Sequence, residues 1–553
     1  MKTTICIALR YPLGQAAPVF SVKMIYALLL STLMPLSLFA DDEKGAKDLA
    51  KATEQSVTAK TADDLGRVVE LCESALEKGL NEEQQVLANQ LWQGALLRRA
   101  ELFSAPIFTK NRSPQWPDLR QLALKDLKNL LEKNSEIAKA QVLLAQLHLL
   151  PGGDREIANA AIDKGILLYK DETDKQVEVR LLRLTLRKTD EERELDIQEI
   201  LKIDPNQLVA LRLQVTIDLK KGKNAEVIDG LKKILKAEPD DYLSRLLLAE
   251  AYFVTQKTDE ALKHVNLFFE EKENKDQLTA YALRARIYVT QTNYSGAIDD
   301  LEFLTKKQPT ALEFRMLLVR LYLAEDHLEK AEKELQGIEV FIKDFPEVRY
   351  LRSLLHSVKE EYDESAEIIE ELLEGDPENV EWQTRLAQIY NAQEKPKKAL
   401  VIYEKLIEKG IDTTQIWGGR GDTYLNLGRH EEALADYEKG VLIAPDNEHV
   451  LNNFAWLLAT SPEEEVRNGK RAVELATKAA EVTEYKDANI LSTLGAAHAE
   501  MGNWSEAEKW AAKALELSEE DQREGFQKEL DSYKEKKPWR EKKEKKKKRI
   551  ITE

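Results

Sequence analysis

Residues 414–447, which read TQIWGGRGDTYLNLGRHEEALADYEKGVLIAPDN, decide the fold of the chain. Trp417, Gly421 and Tyr424 recur at spacings of three and four, which places them on one face of a helix. Ala433 and Tyr437 have the same spacing in a second stretch, and Pro445 closes the segment. The segment therefore predicts two helices joined by a turn.

The same register recurs along the chain at intervals close to 34 residues. Its tyrosine position is occupied by Tyr252, Tyr288, Tyr322, Tyr390 and Tyr424, with His356 in the gap. Nine residues after each tyrosine position stand Ala261, Ala297, Ala331, Ala399 and Ala433, with Ser365 in the gap. Prolines share the register at Pro205, Pro239, Pro309, Pro377 and Pro445. Three residue types in one register predict a repeat architecture.

Each of these residue types suits its place in a helical hairpin. A small residue on the first helix, such as Ala249 or Gly495, lets two helices approach closely. The tyrosine three residues later lies on the same face and fills the space between hairpins. Alanine permits a close crossing of the second helix, and proline ends that helix because it lacks an N–H.

With Arg420 in place of Leu and Gly440 in place of Ala, residues 414–447 otherwise resemble the 34-residue pattern of the tetratricopeptide-repeat (TPR) family. The resemblance implies an all-α fold, an α-α superhelix (TPR solenoid) of about eleven helical hairpins over residues 138–521. Residues 41–137 are expected to form divergent N-terminal helical repeats, and residues 522–553 a helix end and a basic tail. The predicted repeat starts are residues 138, 174, 208, 242, 278, 312, 346, 380, 414, 448 and 488.

The repeat at 448–487 carries about five extra residues between its two helices. Ser461, Pro462 and Glu464 match a helix start, with a cap, a proline at the first position and a capping-box acid. We expect the insertion to add a short turn on one rim. A functional loop is the alternative.

Composition and charge support a helical array and exclude some partners. Hydrophobic residues make up 43% and charged residues 33%, while the 23 Gly and 16 Pro are sparse, which suits a mostly helical protein. The formal net charge of −18 argues against nucleic acid as the ligand of the array, because phosphates would be repelled. Residues 534–553 are Lys-rich instead, so this tail either binds an anionic surface or is a solvated end.

The first forty residues predict export. Lys23 precedes an apolar run at residues 25–39, and Ala40 offers a cleavage site before Asp41. Met24 is an alternative start, and an uncleaved anchor helix is an alternative to a signal peptide. Cleavage would leave Cys72 as the single cysteine, which excludes an intrachain disulfide in the mature protein. The predicted location is periplasmic or secreted, with inner-membrane anchoring by residues 25–39 as the alternative.

The sequence contains no recognisable catalytic pattern, so we expect no enzyme, cofactor or metal. No HExxH motif is present, and a single mature cysteine excludes cysteine-based zinc sites. The glycines of residues 418–421 lie inside a predicted first helix and lack the lysine of a phosphate-binding loop. His148, His356 and His498 occupy the tyrosine position, which predicts hydrogen-bonded interior histidines.

In TPR proteins the first helices line a groove that takes an extended peptide or a partner helix. Mapping groove positions onto this chain gives Arg286, Arg320, Tyr350, Arg385, Gln388, Asn391, Asp422, Asn426, Asn452 and Asn453. Amides and guanidinium groups suit peptide backbone and carboxylates. The alternative is that the arginines pair with Glu on adjacent helices. The full constellation of a chaperone-type carboxylate clamp is absent.

The resemblance implies a non-enzymatic scaffold or adaptor that binds partner proteins in this groove. One alternative is a membrane-tethered assembly factor of the cell envelope. A second is a non-catalytic relative of TPR-containing O-GlcNAc-transferase-like proteins, because only about thirty residues follow the repeats.

Overall fold

The computed structural model describes residues 44–109, 112–520 and 522–541, and this part of the chain is all-α, with 27 α-helices. It falls into two compact units that divide between Asp276 and Gln277. The predicted signal peptide and the end of the basic tail lie outside the described residues. No helix in the described part is both long and apolar enough to cross a membrane.

The first unit contains twelve α-helices. They are α1 Ala46–Thr58, α2 Ala62–Lys78, α3 Glu82–Ser104, α4 Trp116–Lys133, α5 Ala138–His148, α6 Arg155–Leu168, α7 Thr173–Leu184, α8 Asp190–Ile203, α9 Leu208–Lys220, α10 Asn224–Ala237, α11 Tyr242–Val254 and α12 Thr258–Phe269. Helices α1 to α4 pack in sequence around Trp92, Leu96 and Leu127. Cys72 is buried among them, and burial raises the pKa of its thiol to about 12.

The second unit contains the remaining fifteen helices. They are α13 Leu278–Thr290, α14 Tyr294–Lys307, α15 Leu312–Ala324, α16 Leu328–Ile342, α17 Pro346–Val358, α18 Tyr362–Gly375, α19 Val380–Ala392, α20 Pro396–Glu408, α21 Thr414–Asn426, α22 His430–Ile443, α23 Glu448–Thr460, α24 Gly469–Val482, α25 Ala488–Glu500, α26 Trp504–Leu517 and α27 Arg523–Lys534. From α13 to α26 they pack as seven consecutive hairpins.

First helices begin at the predicted repeat starts, apart from α7, which begins at residue 173 instead of 174. Small residues mark the closest approaches within and between hairpins. A Cβ atom on Gly421 would lie 2.7 Å from the Tyr437 ring, and one on Gly418 would lie 2.7 Å from Val450. The glycines of residues 418–421 therefore serve helix packing inside α21, as the sequence predicts.

The turn between the two helices of a hairpin repeats one backbone conformation. Glu394 has a φ of 57° and Gly428 a φ of 65°, both in the left-handed region. The N–H of the next residue, Lys395 or Arg429, donates to the carbonyl of Tyr390 or Tyr424. This is the Schellman arrangement, which satisfies carbonyls at the end of the first helix. The conserved register of the tyrosines therefore also fixes where each first helix ends.

The inserted segment at 461–468 corrects one prediction. No helix begins at Ser461, which instead follows the last residue of α23, and residues 464–466 form a turn. The next helix begins at Gly469, where the Asn468 side chain accepts from the Arg471 N–H at 3.0 Å. Arg467 holds the segment down through Glu500 at 3.1 Å and the Ser461 carbonyl at 3.0 Å. The Ser461 hydroxyl still accepts from the Glu463 N–H at 3.2 Å, but only two turns follow it, closed by the Val466 N–H on the Glu463 carbonyl at 3.3 Å and the Arg467 N–H on the Glu464 carbonyl at 3.2 Å.

The histidine prediction is correct only in part. His148 Nδ1 accepts from the Asp154 N–H at 3.1 Å, and His356 Nδ1 lies 2.6 Å from Glu361 Oε2. His498 Nδ1 is buried and has no hydrogen-bond partner. Burial lowers the pKa of His498, which favours the neutral ring.

Candidate partner-binding site

The predicted groove residues lie on first helices of the second unit. Contacts join α15 to α17, α19 to α21, α21 to α23, and α23 to α25. We call the surface formed by α13, α15, α17, α19, α21, α23 and α25 the first-helix face. Residues three, four and seven positions apart on each helix share this face because an α-helix has 3.6 residues per turn.

Arg320 and Tyr350 form the first group on this face. The Arg320 guanidinium pairs with Glu347 on α17 and lies 5.7 Å from the centroid of the Tyr350 ring. Tyr350 is buried. Arg320 therefore pairs with a glutamate on an adjacent helix, which is the alternative predicted from the sequence. Arg286 is exposed on α13.

Arg385 on α19 differs from Arg320. No carboxylate in the described residues forms an ion pair with it, its Nε is buried without a partner, and its Nη1 lies 3.4 Å from Gln388 Oε1. Burial lowers the pKa of Arg385. A guanidinium remains protonated at neutral pH even so. Arg385 is therefore a half-buried positive charge without a counter-charge.

The hydroxyl of Tyr403 lies close enough to the Arg385 guanidinium for the two groups to interact electrostatically. Tyr403 is fully buried on the second helix α20, and its hydroxyl has no hydrogen-bond partner. Burial raises the pKa of Tyr403, so the hydroxyl keeps its proton as a donor. The sequence register could have found Tyr403, because it stands 34 residues before Tyr437 in the repeat.

Asp422 on α21 centres the third group. Its Oδ1 accepts from the Tyr437 hydroxyl at 2.6 Å and from Asn453 Nδ2 at 2.8 Å. His449 Nε2 lies 3.1 Å from Asp422 Oδ2, and this bond raises the pKa of His449. Asn452 Nδ2 donates to Asn453 Oδ1 at 3.1 Å. Asp422, Asn452 and Asn453 are residues that the sequence predicts on this face, whereas His449 is not among the predicted residues.

Of the two remaining predicted asparagines, Asn391 contacts the next first helix and Asn426 is exposed. Asn391 Nδ2 donates to Thr423 Oγ1 at 2.9 Å, which joins α19 to α21, while its Oδ1 is buried without a partner. Asn426 is exposed at the end of α21 and lies outside these groups. Arg385 Nε and Asn391 Oδ1 thus remain without a hydrogen-bond partner in the described residues.

The terminal helix α27 covers the end of the first-helix face. Phe526, Leu530 and Tyr533 are buried where α27 packs against α26 and α25. The chain then returns to α23, where the Trp456 Nε1 donates to Glu541 Oε1 at 2.6 Å. The Glu541 N–H donates to the Thr460 carbonyl at 3.0 Å and so satisfies one orphan group at the end of α23. The described start of the predicted basic tail is therefore packed on the protein.

A cavity of about 630 Å³ lies between α23, α25 and α27. Its polar lining consists of Glu448, His449, Asn452, Asn453, Asp487, Asn489, Ser492, Thr493 and Glu529. Trp456, Ile490 and Phe526 supply the apolar part. No group of three or more His, Cys, Asp or Glu side chains in the described residues is arranged to hold a metal ion.

Four family models of the tetratricopeptide repeat match residues 288–355, 350–412, 414–447 and 488–520. The DnaJ homolog subfamily C member 3 of Rattus norvegicus is 22% identical over 253 residues, which is 40% of this chain and 49% of the relative. The Mus musculus protein of the same name is 22% identical over 42% of this chain and 54% of its own length. The chain thus spans about half the length of these curated relatives.

The solved structures that the chain matches include a tetratricopeptide repeat protein from Parabacteroides merdae, with 21% identity and a TM-score of 0.41 over 44% of this chain and 95% of that chain. The Cut9–Hcn1 hetero-tetramer of the APC/C matches with 13% identity and a TM-score of 0.41 over 93% of this chain and 92% of that chain. The repeat matches and the all-α hairpins lead to one conclusion. Residues 288–412, 414–447 and 488–520 are tetratricopeptide repeats, which serve as scaffolds for protein–protein interaction.

Proposed function

We propose that the chain is a non-enzymatic scaffold or adaptor that binds an extended segment of a partner protein in the groove of residues 278–460. The observation that carries the proposal is Arg385, a half-buried cation on the first-helix face with no carboxylate partner in the described residues. A carboxylate of the partner would supply the missing counter-charge.

Amide side chains support the same proposal. Asn391 Oδ1 and Asn452 Oδ1 are buried without partners on the first-helix face. An unpaired buried acceptor costs about 1 to 3 kcal/mol, so a ligand N–H that satisfies it gains binding energy. Backbone N–H groups of an extended segment are such donors. Recognition of this kind demands no particular side-chain sequence.

Replacing Arg385 with Glu is expected to reduce capture of the partner in the native host by at least about ten-fold, because a charge-assisted bond is lost and a repulsion is introduced. Crosslinking followed by mass spectrometry measures the capture and maps the crosslinks to residues 278–460. Lys405→Glu is the matched control, since Lys405 is exposed on the second helix α20 and the charge change is the same. If the triple variant Arg286→Glu, Arg320→Glu and Arg385→Glu captures the partner protein as well as the wild type does, the groove proposal is wrong.

We also propose that the protein is exported, on the strength of the apolar run at residues 25–39 and the residues that follow it. N-terminal sequencing of the mature protein is expected to begin at Asp41. A mature protein that retains residues 25–39 would instead favour the membrane-tethered assembly factor.

A further inference from the structure

The cavity between α23, α25 and α27 is lined by acidic side chains, whereas the surface around Arg385 carries an unpaired positive charge. Its lining contains Glu448, Asp487 and Glu529 but no lysine or arginine. His449 is the basic lining residue, and it is already bonded to Asp422 at 3.1 Å. An unpaired positive charge on α19 is therefore followed, at the end of the first-helix face, by a cavity whose carboxyl groups have no lysine or arginine partner in its lining.

Glu529 is the buried acid of this cavity. It is only 7% exposed, and its Oε2 accepts from the Ser492 hydroxyl. No lysine or arginine in the described part of the chain forms an ion pair with it. Burial raises the pKa of Glu529 to about 7, with the Ser492 hydroxyl opposing the shift. A carboxyl in this state gains stabilisation from any cation that enters the cavity.

Further acceptors surround Glu529. Asp487 Oδ1 accepts the N–H groups of Asn489 at 2.8 Å and Ile490 at 3.1 Å, which leaves its second oxygen without a bond in the described residues. Asn452 Oδ1 is buried without a partner. An ammonium or guanidinium group has donors and no acceptor, so it matches a lining rich in unused acceptors.

The aromatic residues of the cavity suit the rest of such a side chain. Trp456 and Phe526 line it from α23 and α27. Lysine and arginine bury their methylene stems against apolar surface while the charged end meets polar groups. Aromatic faces also attract a cation directly.

We propose that this cavity binds the side-chain cation of a lysine or arginine from the partner segment, with Glu529 and Asp487 as its counter-charges. The proposal rests on the proposed function in one respect, since the cation is taken to belong to a partner polypeptide. Together, Arg385 and the cavity would select partner segments that contain both an acidic and a basic residue. Because Arg385 would bind the acidic residue and the cavity the basic one, the two sites would also fix the direction in which the segment lies.

The test uses the full chain with 15N-labelled indole groups and two probes, Nα-acetyl-lysine methylamide and Nα-acetyl-norleucine methylamide. The Trp456 indole signal, assigned with Trp456→Phe, is expected to shift with the lysine probe and not with norleucine. Glu529→Gln is expected to weaken lysine binding by about ten-fold, because the ammonium group loses a charge-assisted hydrogen bond to the carboxylate. Asp487→Asn should weaken binding in the same direction while it keeps the helix cap.

Arg385→Glu is the control that separates the two proposals. It should leave binding of the lysine probe unchanged while partner capture falls, so that either proposal can fail alone. Equal shifts with norleucine and lysine, or wild-type lysine binding in both Glu529→Gln and Asp487→Asn, would overturn the cation site. A lysine shift that appears only after Lys545, Lys546, Lys547 and Lys548 are all replaced by Ser would assign the cavity to the chain's own tail and overturn partner occupancy.

Discussion

Asp436→Ala is expected to lower the free energy of unfolding by about 3 kcal/mol, because it leaves the Arg420 guanidinium, whose side chain is only 16% exposed, without its counter-charge. Asp436 is 3% exposed on α22, and its carboxylate accepts from Arg420 Nε at 2.6 Å and Nη2 at 2.9 Å. The Arg420 guanidinium also lies 5.0 Å from the centroid of the Trp417 ring, inside the hairpin. Urea unfolding followed by far-UV circular dichroism measures the loss.

The control for this prediction is Glu432→Ala in the same hairpin. Glu432 pairs with Arg429 at 2.8 Å, but both side chains are more than two-fifths exposed. An exposed pair of this kind contributes about 0.2 to 1 kcal/mol. If Asp436→Ala costs no more than Glu432→Ala, the buried pair does not hold α21 to α22.

A double variant tests whether the unpaired charge of Arg420 is the cause of the stability loss in Asp436→Ala. Arg420→Leu with Asp436→Ile copies the apolar pair that the preceding hairpin has at Leu386 and Ile402, 34 residues earlier. Replacing a buried ion pair with packed apolar residues is often neutral or stabilising. We therefore expect the double variant to recover the stability that Asp436→Ala loses. A double variant as unstable as Asp436→Ala would show that packing at this position, and not charge pairing, is limiting.

This pair shows how far the sequence determines the fold. The register predicted the helix starts and identified Arg420 as a departure from the family pattern. The compensating residue, Asp436, lies 16 positions later on the other helix, and nothing in the spacing links the two. The same pairing recurs between Arg284 and Asp300, at 2.7 Å, so a comparison of repeats within the chain could have found it.

The insertion at 461–468 shows where local signals fail. The Ser461 hydroxyl makes the local bond that the cap motif predicts, to the Glu463 N–H, but no helix follows, and Arg467 bonds to Glu500 on α25 and to the Ser461 carbonyl. A local cap contributes about 1 kcal/mol, and the two bonds of Arg467 act together against it. Extra residues in a turn therefore follow their neighbours rather than their own preferences.

The positions of the candidate site residues could be predicted from the sequence, but the ion pairs that these residues form could not. Helical spacing placed Arg320, Arg385 and Asp422 on the first-helix face. Which arginine is already paired depends on Glu347, a residue of the next repeat that the groove mapping did not consider. Phe526, Glu529 and Tyr533 also have helical spacing, so the pattern could have placed Glu529 on the buried face of α27, but not beside Ser492 of α25.

Glu529→Gln is expected to stabilise α27 at alkaline pH and to have little effect at pH 5. The pKa of the Glu529 carboxyl is raised by burial from 4.5 to about 7. A raised acid pKa means that the folded state binds the proton more tightly than the unfolded state does. The stability that the neutral carboxyl provides is therefore fully present below about pH 4.5 and is lost as the pH rises through 7.

The size of the effect follows from the shift. Each pKa unit corresponds to about 1.4 kcal/mol, so ionisation of Glu529 is expected to cost on the order of 3 kcal/mol. The glutamine side chain has the same shape, stays neutral and can accept from the Ser492 hydroxyl. The variant should therefore gain about this amount over the wild type at pH 9.

Hydrogen exchange of the α27 amides, compared between the wild type and the variant at each pH, measures this difference. Burial raises the pKa of Tyr533, which therefore stays protonated between pH 5 and pH 9, and His449, whose pKa Asp422 raises, is present in both proteins. Glu524→Gln is the control on the same helix, because Glu524 is exposed and its pKa is lowered by Lys528. If Glu529→Gln protects α27 equally at pH 5 and pH 9, Glu529 has a counter-charge in solution, and the cavity between α23, α25 and α27 is already occupied.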